Sequence, residues 1–327
     1  MRAVVYERYG PPDRLELREV ETPTLRDNSV LIRVHAASVN RSDWETLIGR
    51  PAYVRIGGAG FLKPKVGILG TDVAGRVEAV GKDVTLFQPG DAVFGDIMWH
   101  GGRTFAEYVR VPEGAPIVLK PEGVSFGEAA ALPQAGTLAL QGLAAKGEVK
   151  PGQHVMINGA GGGSGTFAVQ MAKSRGAEVT GVDSTPKLDG MRSVGADHVI
   201  DYRRDNFTKS GNRYDRILDF AAHRSIFAYR RALRPDGIYS MVGGSAPRML
   251  QAFVVGSLIS KTGNRKMGVL MARPNKEDMA RLASLVAAGE LTPVIDRRFE
   301  LSEVPEALGY LGEGRAVGKL VITVATE

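Results

Sequence analysis

The chain has 327 residues, of which 43% are hydrophobic, and it contains no cysteine. This length suits two domains, and the lack of cysteine excludes disulfides, thiol catalysis and zinc sites with cysteine ligands. The formal net charge of +6 is scattered, which disfavours a nucleic-acid partner, and no run reaches the roughly 18 apolar residues of a membrane span.

Residues 1 to 125 show the short apolar alternations of a compact, barrel-like β domain. The chain enters a strand-like pattern at Met1–Tyr6 without the hydrophobic region of a signal peptide, so we expect a cytoplasmic location. Val30–Ala36 alternates with period two. Further strands are expected at Val73–Val80, Ala92–Phe94 and Phe105–Val111, with turns between them.

From about residue 125 the pattern changes to strands that alternate with helices. Ser125 and Glu128 form a capping-box signature for a helix that Pro133 ends. Residues 234–237 read as a turn. The alternation predicts a parallel sheet covered on both faces. Its expected strands are Val155–Asn158, Glu178–Val182, His198–Ile200, Ile217–Phe220 and Ile238–Val242.

The C-terminal segment does not continue this alternation cleanly. Lys266–Ala272 is a candidate strand at the sheet edge, followed by a helix over Lys276–Ala288. Val294–Phe299, a helix opened by Pro305 and a strand over Leu320–Val324 complete the chain. Such a tail is compatible with a return to the first domain.

The strongest motif is a glycine loop after the strand Val155–Asn158, which reads Gly-Ala-Gly-Gly-Gly-Ser-Gly over residues 159–165. A dinucleotide pyrophosphate needs unobstructed backbone N–H groups at the positive end of a helix, and Gly162, Gly163, Ser164 and Gly165 are candidates to provide them. Asp183, at the tip of the next strand, could accept hydrogen bonds from the ribose hydroxyls. The alternative is a glycine-rich turn without a ligand.

With its flanking residues, this loop resembles the zinc-independent quinone oxidoreductase branch of the medium-chain dehydrogenase/reductase superfamily. The resemblance covers nearly the whole chain in order. It rests on Ile157–Lys173 and Gly195–Tyr202, and on Val39–Asp43, Gly70–Gly75, Pro89–Val93, Leu132–Thr137, Gly314-Arg315 and Gly318-Lys319.

The resemblance implies an α/β fold with a GroES-like β-barrel domain, into which a Rossmann domain with a doubly wound parallel sheet is inserted. The expected domains are residues 1–125 with 273–327, and residues 126–272. The active site would lie in a cleft between them. Family members commonly form homodimers through an edge strand of the Rossmann sheet, and Met267–Met271 is the candidate strand.

The same comparison argues against a metal. Where zinc-dependent relatives have their first cysteine, this chain has Arg41-Ser42, and where they have a His-Glu pair it has Thr71-Asp72. The five histidines show no close chelating spacing. We therefore expect no zinc. Because no Lewis acid would then stabilise an alkoxide, we expect hydride transfer to an acceptor that can delocalise the negative charge itself.

The resemblance implies NADPH as the cofactor, because Lys187, Tyr202 and Arg315 match the residues that hold the adenosine 2′-phosphate in the family. Ser184 could add a donor. Asp183 argues for NADH, since an acid at this place repels a 2′-phosphate, so NADH use stays open. Further cofactor contacts carried over from the family are Thr137, Gly243 and Gly244.

For the substrate side, the resemblance implies that Asn40 and Asp43 line the cleft. Tyr53 is a candidate proton donor to a reduced carbonyl or quinol oxygen, although its spacing departs from the family pattern by about two residues. A packed tyrosine, with the proton supplied by solvent, is the alternative.

These observations predict a metal-free NAD(P)H-dependent oxidoreductase that reduces a small-molecule quinone or another conjugated carbonyl, such as an enone or enal. One alternative is an alcohol or aldehyde oxidoreductase. The other is a sensor or interaction protein that binds NADPH with little turnover.

Overall fold

The computed structural model describes residues 1–56, 60–65 and 67–325, with the side chain of Tyr53 outside the description. The chain forms two compact units, residues 1–134 with 274–327 and residues 135–273. Within the described residues, no helix is long and apolar enough to cross a membrane.

The N-terminal part is mainly β-structure. Its elements are β1 (Arg2–Val5), β2 (Glu16–Glu19), β3 (Ser29–Val39), α1 (Arg41–Ile48), α2 (Ala52–Val54), β4 (Asp72–Val80), β5 (Ala92–Asp96), β6 (Tyr108–Pro112), β7 (Ile117–Leu119) and α3 (Phe126–Ala131).

The middle part alternates strands and helices. Its elements are α4 (Pro133–Ala144), β8 (His154–Asn158), α5 (Gly163–Ser174), β9 (Glu178–Asp183), α6 (Leu188–Ser193), β10 (His198–Asp201), β11 (Tyr214–Asp219), α7 (Ile226–Ala232), β12 (Leu233–Met241), α8 (Ala246–Thr262) and β13 (Lys266–Val269). The tail adds α9 (Lys276–Ala287), β14 (Ile295–Glu300), α10 (Val304–Gly312) and β15 (Lys319–Thr323).

The first unit is built on a seven-stranded sheet in the order β14-β15-β3-β4-β5-β7, with β6 also paired to β3. The tail strand β15 pairs antiparallel with β3, so the C-terminal segment completes this sheet. The alternation read from the sequence is present in β3, where Val30, Ile32 and Val34 are fully buried and Arg33 is exposed. These side chains lie in one continuous apolar core.

Helix α3 lies beyond the expected domain boundary at residue 125, yet it packs against β3, β4 and β5 of the first unit. Ser125 caps this helix, and its backbone N–H and hydroxyl both bond to the Glu128 carboxylate. Every residue of the helix except Glu128 is buried. Its apolar surface therefore holds it to the β domain, and the first compact unit extends to Gln134.

The second unit contains six parallel strands in the order β10-β9-β8-β11-β12-β13. Numbered from β8, this is the order 3-2-1-4-5-6 of a Rossmann fold, which confirms the predicted doubly wound sheet. The order reverses between β8 and β11, and ligands bind at the carboxyl ends of the strands at such a point. The glycine loop follows β8 at that place.

The predicted turn over residues 234–237 lies inside β12 rather than between elements. Its flanking residues Leu233 and Ile238 pair with Tyr214 and Arg216 of β11, so the intervening residues bulge out of the ladder. Asp236 has a φ of 61°, a conformation that turns favour. The sequence therefore identified a turn correctly, but this turn lies within β12 and does not precede the strand.

Candidate functional site

Asn40 lies at the junction of β3 and α1, where hydrogen bonds fix both its backbone N–H and its side-chain amide. Its backbone N–H donates to Asp43 Oδ2 over 2.8 Å, which is the return bond of a capping box. Its side-chain Nδ2 donates to Asp72 Oδ2 over 2.8 Å, and its Oδ1 accepts from Lys319 Nζ over 2.6 Å. The amide plane is therefore fixed by one carboxylate and one ammonium.

Asp72 and Lys319 form a buried ion pair behind Asn40, with Nζ 3.6 Å from Oδ2 and side-chain exposures of 0% and 3%. Asp72 also accepts from the hydroxyl of Ser38 over 2.7 Å and from the backbone N–H of Gln134 over 3.0 Å. Burial lowers the pKa of Lys319, and the neighbouring Asp72 and Asp43 oppose that shift. A buried charge persists only when it is paired and hydrogen-bonded, and both partners meet that condition.

Two further carboxyl groups share this environment. Burial raises the pKa of Asp43 to about 7, against the hydrogen bonds from the backbone N–H groups of Asn40 and Gly70. Burial and the nearby Asp72 raise the pKa of Asp96 well above its usual range. Of these three carboxyl groups, that of Asp72 is the one within ion-pair distance of the Lys319 ammonium.

The raised pKa of Asp43 predicts a pH-dependent stability that Asp43→Asn should remove. A carboxyl with a pKa of about 7 when folded and 3.8 when unfolded contributes stability below the lower value and loses it as the pH rises through the higher one. Between pH 5 and 8 the wild type should therefore lose about 3 kcal/mol relative to the variant. Urea unfolding of both proteins measures this, and an unchanged difference between them would contradict the assignment.

A chain of weaker hydrogen bonds joins Asn40 to the neighbouring loop. Thr71 Oγ1 accepts from Asn40 Nδ2 over 3.4 Å and from Gln134 Nε2 over 3.3 Å. Gln134 Oε1 accepts from the hydroxyl of Ser42 over 2.9 Å. Because Thr71 is only half-buried and accepts both bonds, its own hydroxyl hydrogen can be donated to a bound ligand.

The sequence assigned Asn40 and Asp43 to the site but gave no role to Lys319, Asp72 or Gln134. A signal was present, since Lys319 opens a strand that is otherwise apolar, and a lysine there needs a partner once it is buried. The side chain of Tyr53 lies outside the described residues, so its assignment stays a prediction.

In the second unit, the glycine loop is shaped to leave backbone N–H groups free. Helix α5 begins after Gly162, which supplies no side-chain cap. Among the described residues, the amides of Gly163, Ser164 and Gly165 donate to no protein acceptor. A Cβ on Gly165 would lie 2.1 Å from the carbonyl oxygen of Gly159, so only glycine permits this close turn. The loop fits a pyrophosphate at a helix N-terminus.

Asp183 closes the other side of the loop. Its Oδ2 accepts from the N–H of Gly161 over 3.0 Å, and its Oδ1 accepts from the N–H of Ser184 over 2.8 Å. Lys187 Nζ lies 3.8 Å from Asp183 Oδ1, with both side chains 11% exposed. The residue that favoured NADH in the sequence and the residue that favoured NADPH are therefore partners of each other.

The remaining cofactor candidates lie at several places. The backbone N–H of Tyr202 donates to the Asp183 carbonyl over 3.1 Å, so the Tyr202 backbone lies beside this strand tip, and its side chain is exposed. Thr137 is buried in α4, and its hydroxyl has no hydrogen-bond partner within the described part of the chain. Arg315 belongs to the first unit, where it pairs with Glu313 over 2.7 Å.

Gly243 and Gly244 follow β12, two strands from the glycine loop in the sheet. A Cβ on Gly243 would lie 2.7 Å from the carbonyl oxygen of Phe220, and Gly244 has a φ of 148°. The pair crosses the end of β11 at close range, where Ala222 donates to the Gly243 carbonyl. This loop therefore lies at the same edge of the sheet as the glycine loop.

Two of the five histidines share one acidic partner. His154 and His198 both contact Glu178, over 3.0 Å and 2.8 Å, at the amino ends of β8, β9 and β10. This is the edge of the sheet opposite the glycine loop. Across residues 1–56, 60–65 and 67–325, no group of three or more His, Cys, Asp or Glu side chains could hold a metal ion.

Comparisons with known proteins cover the whole chain. The family described as "Alcohol dehydrogenase GroES-like domain" matches residues 26–122, and the family described as "Zinc-binding dehydrogenase" matches residues 194–322. The 2-methylene-furan-3-one reductase of Solanum lycopersicum is 33% identical over 98% of this chain and 79% of its own length. The chloroplastic quinone-oxidoreductase QR1 of Triphysaria versicolor is 32% identical over 98% of both chains. The solved quinone oxidoreductase from Coxiella burnetii is 32% identical, covers 99% of both chains and has a TM-score of 0.86.

Proposed function

Because this chain belongs to the zinc-independent quinone oxidoreductase-like branch of the medium-chain dehydrogenase/reductase superfamily, we propose that it transfers a hydride from NADPH to a quinone or a conjugated enone or enal. The relatives named as quinone and enone reductases support this acceptor class. The observation that carries the proposal within this chain is the glycine loop, whose free amides and close turn suit a dinucleotide.

The residues that would hold the cofactor belong to the loop and its neighbours. The amides of Gly163, Ser164 and Gly165 would bind the pyrophosphate, and Asp183, Ser184 and Lys187 would hold the adenosine ribose. The unpartnered hydroxyl of Thr137 and the close-packed Gly243 and Gly244 are further candidates. When bound, the reduced nicotinamide supplies the hydride.

The hydrogen bonds to the Asp72 carboxylate support metal-free chemistry. Asp72 stands where a zinc-dependent relative has an acidic residue, but its carboxylate already accepts from Ser38, Asn40 and the Gln134 backbone. The Lys319 ammonium lies within 3.6 Å of the same group. A metal ligand needs free lone pairs, and three of the roughly four lone-pair sites of this carboxylate already accept from the protein.

On the substrate side, three residues would orient the quinone or enone: Asn40, Thr71 and Lys319. The Lys319 ammonium and the Asp72 carboxylate fix the Asn40 amide from behind. The Thr71 hydroxyl is free to donate to a carbonyl or quinone oxygen, which would stabilise the charge that develops there. Tyr53 stays the candidate proton donor, with solvent as the alternative source.

A preference for NADPH requires that the Lys187 ammonium breaks its contact with Asp183 and binds the 2′-phosphate. Lys187→Met should therefore weaken NADPH binding at least about tenfold, because one charge-assisted contact to a phosphate is lost, and should leave NADH binding within about twofold. Cofactor fluorescence titrations measure both affinities. Lys173→Met is the matched control, since Lys173 Nζ lies 2.8 Å from Asp197 Oδ1 and this pair is outside the glycine loop. An equal loss for both cofactors would overturn the assignment.

The function is tested by following cofactor oxidation with a panel of quinones and enones in the presence of a chelator. Turnover of a conjugated acceptor supports the proposal. Turnover of simple alcohols or aldehydes alone would favour the alternative dehydrogenase. Tight NADPH binding without turnover of any acceptor would favour the sensor.

We also propose that the chain forms a homodimer through β13, the open edge of the parallel sheet. Helix α8 packs on this strand and exposes Leu250, Phe253, Val254 and Leu258 to 57–65%, an apolar surface that a second copy would cover. Sedimentation velocity tests this, and a monomer at micromolar concentration would contradict it. The cytoplasmic location stays a prediction, since one relative is named as chloroplastic.

A further inference from the structure

A concave site lies in the Rossmann unit, and its lining contains none of the residues assigned to the cofactor. It is a cavity of about 380 Å³ lined by the loops after β10 and β11 and by residues of α7 and α8. This volume is in the range of about 300–1,000 Å³ that small-ligand pockets occupy. The loops that line it leave the carboxyl ends of parallel strands, where doubly wound folds bind ligands.

The lining of this basic pocket carries four cationic side chains, Lys209, Arg224, Arg231 and Arg248. It includes no aspartate or glutamate, and none of the four forms an ion pair with any residue that the structure describes. Elsewhere in the same unit, Arg192 and Arg234 each pair with an aspartate over 2.7 and 2.8 Å. Unbalanced positive charge in a concavity raises the local concentration of anions.

The hydrogen-bonding groups of the basic pocket are mostly donors. Arg224 Nε is buried and has no hydrogen-bond partner among the described residues, and its guanidinium lies 5.5 Å over the Phe207 ring, which holds it in place. The Asn206 Oδ1 acceptor is already used by the N–H and hydroxyl of Thr208. A buried unpaired donor is costly, and an oxyanion is the ligand that would satisfy it.

We propose that the basic pocket binds the phosphoryl group of a small phosphorylated ligand. Guanidinium groups bind phosphate through paired, charge-assisted hydrogen bonds. The pocket adjoins the proposed cofactor site, because the His223 ring in its lining lies 5.7 Å from the Tyr202 ring. The phosphoryl group therefore belongs either to the dinucleotide or to a separate small molecule, and the experiment distinguishes these sources.

The test is calorimetric titration of pyrophosphate into the full chain, first with NADPH at saturation so that the glycine loop is occupied. The variants are Arg224→Gln and Arg231→Gln. Arg213→Gln is the matched control, because it removes the same charge at an exposed position. Among the described residues, the Arg213 side chain bonds only to the backbone carbonyls of Gly211 and Asn212.

Pyrophosphate should bind the NADPH-loaded protein, and each pocket variant should weaken that binding about tenfold, as the loss of one charge-assisted contact implies, while the control changes it less than twofold. This result assigns a ligand separate from the cofactor. Binding seen only without NADPH, with the same dependence on Arg224 and Arg231, assigns the phosphoryl group to the dinucleotide. No binding in either state, or equal weakening by Arg213→Gln, overturns the proposal.

Discussion

Gly165→Ala should destabilise the protein by about 1–3 kcal/mol or more and abolish measurable cofactor binding. Its Cβ would lie 2.1 Å from the Gly159 carbonyl oxygen and 2.6 Å from the Ala160 Cα, and overpacking against atoms that cannot move costs about this much. Helix propensity alone favours alanine over glycine by about 1 kcal/mol. The contact with backbone atoms outweighs that gain, because relieving it means displacing the glycine loop.

Gly162→Ala provides the matched control for this prediction. Its Cβ would lie 3.4 Å from the same carbonyl oxygen, an ordinary contact, so the stability should change by no more than about 1 kcal/mol. Cofactor affinity should still fall, because the added methyl group stands where a pyrophosphate would approach. Thermal unfolding and NADPH titration separate the two effects. Equal melting temperatures for both variants would contradict the geometry of the loop.

Lys319→Met should lower the stability by about 3–5 kcal/mol, because it leaves the Asp72 carboxylate buried without its ammonium partner. The Asn40 amide also loses the donor that holds its Oδ1 over 2.6 Å. A misplaced orienting group can reduce turnover by about 100-fold, so kcat should fall more than KM rises. Urea unfolding and steady-state kinetics measure the two consequences.

The same substitution at an exposed pair is the control. Lys82 lies 3.1 Å from Asp27, with both side chains about 70% exposed, and Lys82→Met should cost at most about 1 kcal/mol. Combining Lys319→Met with Asp72→Asn should recover part of the lost stability, because both buried charges are then removed together. Additive losses in the double variant would show that the pair does not interact as described.

Local patterns allowed much of the parallel sheet to be predicted. The strands from Val155 to Val242 were located because each is a short apolar run bounded by turn residues. The glycine loop was recognised because its spacing, the helix after it and the acid at the next strand tip all occur within one βαβ unit. In contrast, the chemistry of residues 234–237 does not reveal that Leu233 and Ile238 pair with the same neighbouring strand.

The ion pair of Asp72 and Lys319 could not be predicted in this way, because it depends on contacts that are distant along the chain. β15 pairs with β3, and β3 pairs with β4, so Lys319 reaches Asn40 across most of the sequence. Burial of both charges exists only after that sheet forms. Lys187 and Asp183 are only four residues apart, but Asp183 ends strand β9, so the side-chain spacing of a helix does not apply and their contact could not be predicted from the sequence either.

Asn40 and Asp43 illustrate how a local signal can be read in two ways. The resemblance assigned both residues to the cleft, whereas their N-x-x-D spacing also matches a helix capping signature. The structure shows Asp43 in the capping role, with its carboxylate bonded to the N–H of Asn40, while the Asn40 side chain meets Asp72 and Lys319. Helix capping thus orients the amide that we place in the site.

The central claim, metal-free hydride transfer to a conjugated acceptor, is tested most directly with NADPH deuterated at C4 of the nicotinamide. The protein, treated with a chelator, is incubated with an enone, and the product is analysed by mass spectrometry and NMR. We expect one deuterium on the carbon β to the carbonyl, from one of the two C4 labels, at a rate that the chelator does not change. A product without deuterium, or turnover that the chelator abolishes, would contradict it.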